Sequence, residues 1–334
     1  MTAETAYRRV LLAYPADCQP RQAAFLGGAG GFSGALFWRL ETDRGPLCLR
    51  AWPPEHPCRE RLEFIQAVLW HASQEGFRRA PLPLETRTHA GYVCEAGRFW
   101  QLEAWLPGKA DFHERPTPER LRAALRALAE FHLAAATFPL PERPPGAVPG
   151  IAERRDRLLG LSSDHLRQLS EAVVPGDWPA LAWRAGQWLA LAPRAIPRVR
   201  GCVARAAEFS APLQPCIRDV WHDHVLFDGD RVTGLIDFGA LRADHVAGDV
   251  ARLLGSLAGD DRESWRQGLD AYSGLRPLEP DEIALVEAFD EANTLLAGLS
   301  WLEWIYLDGR QFSDRQAVVE RLDAHLPRLA TLAE

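Results

Sequence analysis

The stretch CIRDVWHDHVLFDGDRVTGLIDFGALRADHVAGDVARLLGS, residues 216–256, carries the strongest chemical signal in this sequence. A short apolar run delivers Asp219 into a polar turn. The next segment predicts a β-hairpin that turns at residues 228–230 and returns to Asp237. Two carboxylates at the ends of paired strands can face one small site. Phosphoryl transfer needs such a pair, one carboxylate to orient the attacking hydroxyl and one to hold magnesium against the triphosphate.

Upstream of this stretch, residues 20–105 predict strands with a single helix. Segments 34–40 and 46–52 are rich in bulky residues and flank a turn, so they predict an antiparallel hairpin. The run RERLEFIQAVLWHASQEGF predicts an amphipathic helix, because its apolar residues recur on one helical face. A second hairpin is predicted to turn at residues 95–97.

The chain after residue 105 is predicted to be mainly helical. Thr117 is a good N-cap, and Pro118 suits the first position of the helix that follows. The Pro/Gly-rich segment 138–150 predicts a loop between two helical regions. The strand–loop–strand unit around residues 213–240 then interrupts the helices.

The motifs IRDVWHDH and LIDFG resemble those of the aminoglycoside phosphotransferase and choline kinase-like family, a branch of the protein-kinase-like fold. The resemblance covers roughly residues 25–305. In that family the catalytic loop usually reads His-Gly-Asp-x-His-x-x-Asn, and an Ile-Asp-Phe-Gly turn follows. The resemblance implies that Asp219 is the catalytic aspartate and that Asp237 binds the metal. It also implies that Asp249 braces the catalytic loop from the next helix.

Three positions of the catalytic loop depart from the family pattern. Ile217 replaces the histidine, Arg218 replaces the glycine and His224 replaces the metal-binding asparagine. Oxygen ligands suit Mg²⁺ better than imidazole does. Either His224 binds a softer metal such as Mn²⁺, or Asp223 or water takes its place, or the site binds nucleotide weakly.

The resemblance also implies a nucleotide site in the N-terminal part of the chain. In kinases the strand that corresponds to segment 46–52 carries a lysine that contacts phosphate. Here Arg50 occupies that position, and the only lysine of the chain is Lys109. An arginine keeps the charge and can chelate phosphate oxygens. Either Glu60 or Glu63 is expected to pair with Arg50. The expected nucleotide-binding residues are Gly30, Gly31, Ser33 and Gly34 of a glycine-rich loop, Arg50, Glu63, and the backbone around Glu103 and Leu106.

The predicted fold is therefore α+β and bilobal, of the protein-kinase-like type. A small N-terminal lobe with an antiparallel sheet is expected over residues 1–105, and a larger, mainly helical C-terminal lobe over residues 106–334. The C-terminal lobe should hold the catalytic loop, residues 217–227, and the metal-binding turn, residues 236–239.

The predicted activity is ATP- and Mg²⁺-dependent transfer of the γ-phosphoryl group to a hydroxyl of a small molecule. Aminoglycoside-, choline- and homoserine-like acceptors all remain open. Glu303 beside Trp304 would suit an amine-bearing alcohol, and Asp223 is a third candidate for substrate contact. The alternative is a catalytically impaired pseudokinase that acts as a regulatory protein by binding a nucleotide or a partner. The replacement of three positions in the catalytic loop motivates this alternative.

Composition limits the partners and the compartment. The formal net charge of −7 argues against nucleic acid or an anionic membrane surface as the main partner. No apolar run is long enough to cross a bilayer, and the N-terminus is a poor signal peptide. The six cysteines are scattered and include no CxxC pair, which is typical of reduced thiols. These features together predict a cytoplasmic protein.

Overall fold

The computed structural model divides the chain into two compact units. The first unit comprises Met1–Phe138 and His222–Leu241, and the second comprises Pro139–Trp221 and Arg242–Glu334. A five-stranded antiparallel sheet in the first unit and a mainly helical second unit confirm the predicted fold class. The structure describes residues 3–28, 34–141, 148–176, 178–312 and 314–334.

The first unit, hereafter the sheet unit, is built around one sheet with the strand order β1-β2-β3-β5-β4. The two predicted hairpins, β2–β3 and β4–β5, are confirmed, and a third hairpin, β7–β8, belongs to the same unit. Its elements are α1 Ala3–Leu11, β1 Pro20–Gly27, β2 Leu36–Thr42, β3 Gly45–Ala51, α2 Arg59–Gln74, β4 Val93–Glu95, β5 Arg98–Ala104, α3 Pro118–Ala135, β7 Val225–Asp228 and β8 Arg231–Leu235.

The helix α1 packs its apolar residues against the sheet. Its residues Val10 and Leu11 are buried in one hydrophobic cluster with Trp38 of β2 and Trp100 of β5. The Trp38 and Trp100 rings lie 5.3 Å apart between centroids. Burial of this apolar surface against the sheet stabilises the start of the chain as a helix.

The predicted apolar face of α2 and the predicted N-cap of α3 are confirmed. In α2 the residues Leu62, Ile65 and Leu69 are buried. In α3 the Thr117 side chain accepts a hydrogen bond from the Arg120 backbone amide, as expected of an N-cap.

The second unit, hereafter the helical unit, packs seven helices and one short strand pair within the described part of the chain. Helix α9 contacts α6, α7 and α10, so it forms the centre of the packing. No described helix of either unit is both long enough and apolar enough to cross a membrane. The elements are α4 Pro149–Gly160, α5 Ser163–Ala172, α6 Pro179–Ala206, β6 Gln214–Cys216, β9 Arg242–Asp244, α7 Ala247–Ala258, α8 Arg262–Ser273, α9 Pro280–Leu302 and α10 Arg315–Leu332.

Candidate active site

Asp237 and Arg50 form an ion pair in the sheet unit. Asp237 follows β8 and has a φ of +59°, a left-handed conformation that aspartate tolerates better than most residues. Arg50, on β3, donates from Nη2 to Asp237 Oδ1 at 3.0 Å. Burial alone would raise the pKa of Asp237, but the charges of Arg50 and His224 lower it to about 2. The carboxylate is therefore ionised at neutral pH.

The other oxygen of Asp237 faces His224. His224 Nε2 lies 3.7 Å from Asp237 Oδ2, while Arg50 occupies Oδ1. Two ligand atoms that each bind a metal at about 2.0–2.6 Å lie roughly 3–4 Å apart when they share it. The pair therefore fits one divalent cation.

Arg50 is buried and held by aromatic rings. Its guanidinium carbon lies 3.6 Å from the centre of the Trp52 ring and 5.3 Å from that of Phe37. Arg50 Nε and Trp52 Nε1 are both buried donors without a hydrogen-bond partner among the described residues. Unsatisfied buried donors are costly, so the packing of Arg50 against these rings must offset that cost.

Glu63 does not meet the expectation that it pairs with Arg50. Its Oε1 accepts from the Tyr92 hydroxyl at 2.8 Å, and the partner of Arg50 is Asp237. The physical reason is the rotation of α2, which turns Gln66 toward the sheet. Gln66 Nε2 donates to Gln101 Oε1 at 2.8 Å, and Gln66 is only 2% exposed. The polar contact from α2 to the sheet is thus an amide, one turn beyond Glu63.

Glu103 is the last member of a buried hydrogen-bond network that starts at the side chains of Gln66 and Gln101. Gln101 Nε2 donates to Glu103 Oε2 at 2.6 Å, and Glu103 is 8% exposed. Burial raises the pKa of Glu103 to about 7, although the charge of Arg50 and the Gln101 hydrogen bond partly oppose the rise. Arg50 therefore lies near two carboxyl groups whose pKa values shift in opposite directions, down for Asp237 and up for Glu103.

Replacing Glu103 by glutamine should flatten the pH dependence of stability. The unfolded carboxyl loses its proton near pH 4.5, whereas the folded one keeps it to about pH 7. The folded state therefore binds more protons between these values, and the free energy of unfolding falls as the pH rises through them. The total fall is on the order of 3 kcal/mol, since one pKa unit corresponds to about 1.4 kcal/mol.

Urea denaturation between pH 4 and pH 8 measures this effect. Glu103→Gln should lose most of the slope, whereas Glu41→Gln, at a side chain that is 47% exposed, should keep it. An unchanged slope in Glu103→Gln would assign the pH dependence to another group.

The segment after β5 packs on the β7–β8 hairpin within the sheet unit. The Lys109 amide donates to the Phe227 carbonyl at 2.9 Å, and the Phe227 amide donates back at 2.8 Å. Leu106 lies against Gly234 of β8, where a Cβ atom would be 2.7 Å from Leu106 Cδ1. The segment expected to contact adenine is thus tied to the hairpin that delivers Asp237. Of the predicted glycine loop, Gly30, Gly31 and Ser33 lie outside the described residues, and Gly34 adopts a φ of +77°.

Asp219 belongs to the helical unit, where α7 holds it. Arg252 Nη2 donates to Asp219 Oδ1 at 3.1 Å, and the Asp219 side chain is 53% exposed. Asp249, three residues before Arg252 on α7, accepts hydrogen bonds from the amides of Ile217 and Arg218. One face of α7 therefore holds both the backbone before Asp219 and its carboxylate. The expected bracing role of Asp249 agrees with these contacts.

The candidate substrate residues Glu303 and Trp304 lie in a π-helical turn of the helical unit, Glu303–Leu307. Glu303 Oε1 lies 2.8 Å from His165 Nε2, and Arg157 contacts Glu303 Oε2. Arg310 lies 5.1 Å from the Trp304 ring centre. An amine-bearing acceptor at Glu303 would therefore compete with cations of the protein itself.

Asp223 is exposed and belongs to the sheet unit. Its Oδ1 lies 3.5 Å from His222 Nε2. The structure thus brings Arg50, His224 and Asp237 together in the sheet unit, and holds Asp219 with α7 in the helical unit. Sequence reasoning missed Trp52 and Arg252. Trp52 could have been found because residues two apart on an extended strand share one face, as Trp52 does with Arg50. Arg252 could have been found because residues three apart on a helix share one face, as Arg252 does with Asp249.

The chain is similar to known phosphotransferases in sequence and in fold. The sequence profile of the phosphotransferase enzyme family, APH, matches residues 26–286. The homoserine kinase of Methylobacterium nodulans is 29% identical over 272 residues, which cover 78% of this chain and 74% of that protein.

Two solved structures are similar in fold. A spectinomycin phosphotransferase, in complex with ADP and spectinomycin, superimposes with a TM-score of 0.71 at 10% identity and covers 98% of both chains. An amicoumacin kinase, in complex with AMP-PNP, Ca²⁺ and its substrate, superimposes with a TM-score of 0.65 at 13% identity, covering 98% of this chain and 94% of that one.

The family match and the fold together define a phosphotransferase with a protein-kinase-like fold. The chain belongs to the phosphotransferase enzyme family, APH, because the family profile matches more than half of its length. The predicted family, fold class and enzyme class are therefore confirmed.

Proposed function

We propose that this protein is an ATP-dependent kinase that phosphorylates a hydroxyl group of a small amino alcohol. One observation carries the proposal: Asp237 Oδ1 accepts a hydrogen bond from the buried Arg50, and Asp237 Oδ2 faces His224 Nε2. Phosphoryl transfer depends on cationic groups and a metal that neutralise the phosphate oxygens, and this site provides the residues for both.

Arg50 binds phosphate oxygens of ATP in this proposal. Its guanidinium lies beside Asp237, and a guanidinium can chelate two oxygens at once. Asp237 Oδ2 and His224 Nε2 hold a divalent cation, Mg²⁺ or Mn²⁺. When bound, that cation would neutralise negative charge on the phosphates. The ADP in the related spectinomycin phosphotransferase supports an adenine nucleotide.

Asp219 orients the acceptor hydroxyl and takes up its proton as the phosphoryl group transfers. Its exposed carboxylate is accessible to a substrate, and Arg252 fixes its Oδ1. A carboxylate held in this way loses little freedom when the substrate binds.

The acceptor is proposed to be homoserine or a close amino alcohol. The support is the homoserine kinase of M. nodulans, whose similarity extends over most of both chains. We further propose that ATP binds the lobe formed by residues 1–105, that the acceptor binds the lobe formed by residues 106–334, and that the protein acts in the cytoplasm. All six cysteines are free, as expected in a reducing compartment.

Purified protein tests the proposal through ADP release with ATP and either Mg²⁺ or Mn²⁺. Homoserine, ethanolamine, choline and spectinomycin serve as parallel acceptors. Homoserine should give the highest kcat/KM, and a phosphorylated product should be seen by mass spectrometry. Preference for another alcohol would refute homoserine as the acceptor but would still support the kinase activity. Absence of transfer to any alcohol, with ATP still bound, would instead support a regulatory pseudokinase.

A further inference from the structure

Arg218, the residue immediately before Asp219, has an unusual backbone conformation. Its φ is +69°, in the left-handed region that residues other than glycine rarely adopt. Glycine reaches this conformation without steric cost. An arginine at such a position costs stability, so its side chain must supply something that glycine lacks.

The backbone at this turn is fixed by one carboxylate. The Ile217 amide donates to Asp249 Oδ2 at 2.7 Å, and the Arg218 amide donates to Asp249 Oδ1 at 2.6 Å. These bonds fix the two residues that lead into Asp219. They leave open the rotation around Arg218 that sets the direction of the next residue.

The Arg218 side chain is held by two acids on different elements. Its Nη1 donates to Glu153 Oε1 of α4 at 3.2 Å, and its Nη2 contacts Glu153 Oε2. Its Nε lies 3.1 Å from Asp244 Oδ2 on β9. The Arg218 hydrogen bond is the largest cause that lowers the pKa of Glu153. A fork of this kind fixes both the position and the plane of the guanidinium.

Asp244 is itself anchored in the helical unit. Its Oδ1 accepts from the amides of Gly150 at 3.1 Å and His245 at 2.9 Å, and its side chain is 4% exposed. Arg218 is therefore tied to α4 and β9 through its side chain, and to α7 through its amide. Three elements converge on the residue that precedes Asp219.

We propose that Arg218 is a positioning residue for Asp219, and that its side-chain clamp to Glu153 and Asp244 fixes the left-handed turn that aims the Asp219 carboxylate. The proposal rests on the proposed function in so far as Asp219 acts on the acceptor hydroxyl. In this proposal the arginine side chain makes the turn before Asp219 more rigid than it would be with glycine at this position.

Arg218→Gly and Arg218→Ala separate the backbone from the side chain. Both remove the clamp, but only glycine also removes the strain of the positive φ. In both variants we expect kcat to fall about 10- to 100-fold, because small displacements of a catalytic group carry penalties of this size. The KM for ATP should stay within about twofold, since the substitution acts on contacts to Glu153 and Asp244 inside the helical unit. Glu153→Gln should give a smaller loss of the same kind.

Arg242→Ala is the matched control. Arg242 Nη1 also lies near Glu153 Oε1, at 3.7 Å, but this arginine is 54% exposed and lies outside the turn. It should behave as wild type. Wild-type kcat in Arg218→Gly would overturn the proposal, because the side chain would then contribute nothing.

Hydrogen exchange gives a second measurement that does not need activity. The amides of residues 217 and 218 should exchange at least about tenfold faster in Arg218→Gly than in wild type. If wild type transfers no phosphate, the proposed function fails, while faster exchange still supports the clamp. Equal exchange rates in the two proteins would refute the clamp whether or not the wild type is active.

Discussion

Asp219→Asn should lower turnover by about 100- to 10,000-fold and leave ATP binding intact. General-base groups contribute rate factors of this size, and asparagine keeps the shape but cannot take up a proton. The Asp219 carboxylate is paired with Arg252 within the helical unit, and asparagine can keep a hydrogen bond to that arginine. The loss should therefore appear in kcat, with little change in the KM for ATP.

Steady-state kinetics and a thermal shift with ATP together measure this result. Asp230→Asn, at the exposed turn of the β7–β8 hairpin, is the control and should keep wild-type turnover. Arg252→Ala should weaken turnover less than Asp219→Asn does, because it frees the carboxylate without removing it. Wild-type kcat in Asp219→Asn would exclude Asp219 as the catalytic base and redirect attention to Asp223.

Asp237 could be predicted from sequence because its signal is local. The hairpin strands, the turn at residues 228–230 and the IDFG motif lie within a short stretch, and each follows from neighbouring residues. The amphipathic face of α2 and the N-cap of α3 were readable for the same reason. Where local pattern and tertiary packing agree, a single sequence is sufficient.

The partner of Arg50 could not be predicted in the same way. Arg50 and Asp237 are 187 positions apart, and the choice between Asp237 and an acid on α2 depends on which face of α2 meets the sheet. Gln66 takes that face, although its type gives no hint of burial. The Arg218 turn was hidden for a related reason, since its φ is visible only in the fold.

Asp237→Asn should abolish the metal-dependent part of ATP binding and lower turnover about 100- to 1,000-fold. Asparagine offers a neutral oxygen in place of the ionised carboxylate that faces His224. Metal neutralisation of phosphate charge is worth several kcal/mol in such reactions, and each 1.4 kcal/mol is a factor of ten. The same change removes the negative charge beside Arg50, so the unliganded protein should also melt at a lower temperature.

Thermal denaturation with ATP alone, with ATP and Mg²⁺, and with ATP and Mn²⁺ separates these effects. In wild type, ligand at about 100 times its dissociation constant should stabilise by roughly 2.7 kcal/mol. The metal-dependent increment should vanish in Asp237→Asn and persist in Asp228→Asn, an exposed aspartate of the same hairpin. A larger increment with Mn²⁺ than with Mg²⁺, lost in His224→Ala, would establish the imidazole as a ligand. A full metal-dependent increment in Asp237→Asn would show that the metal binds elsewhere, because this substitution removes the charged oxygen ligand of the proposed site.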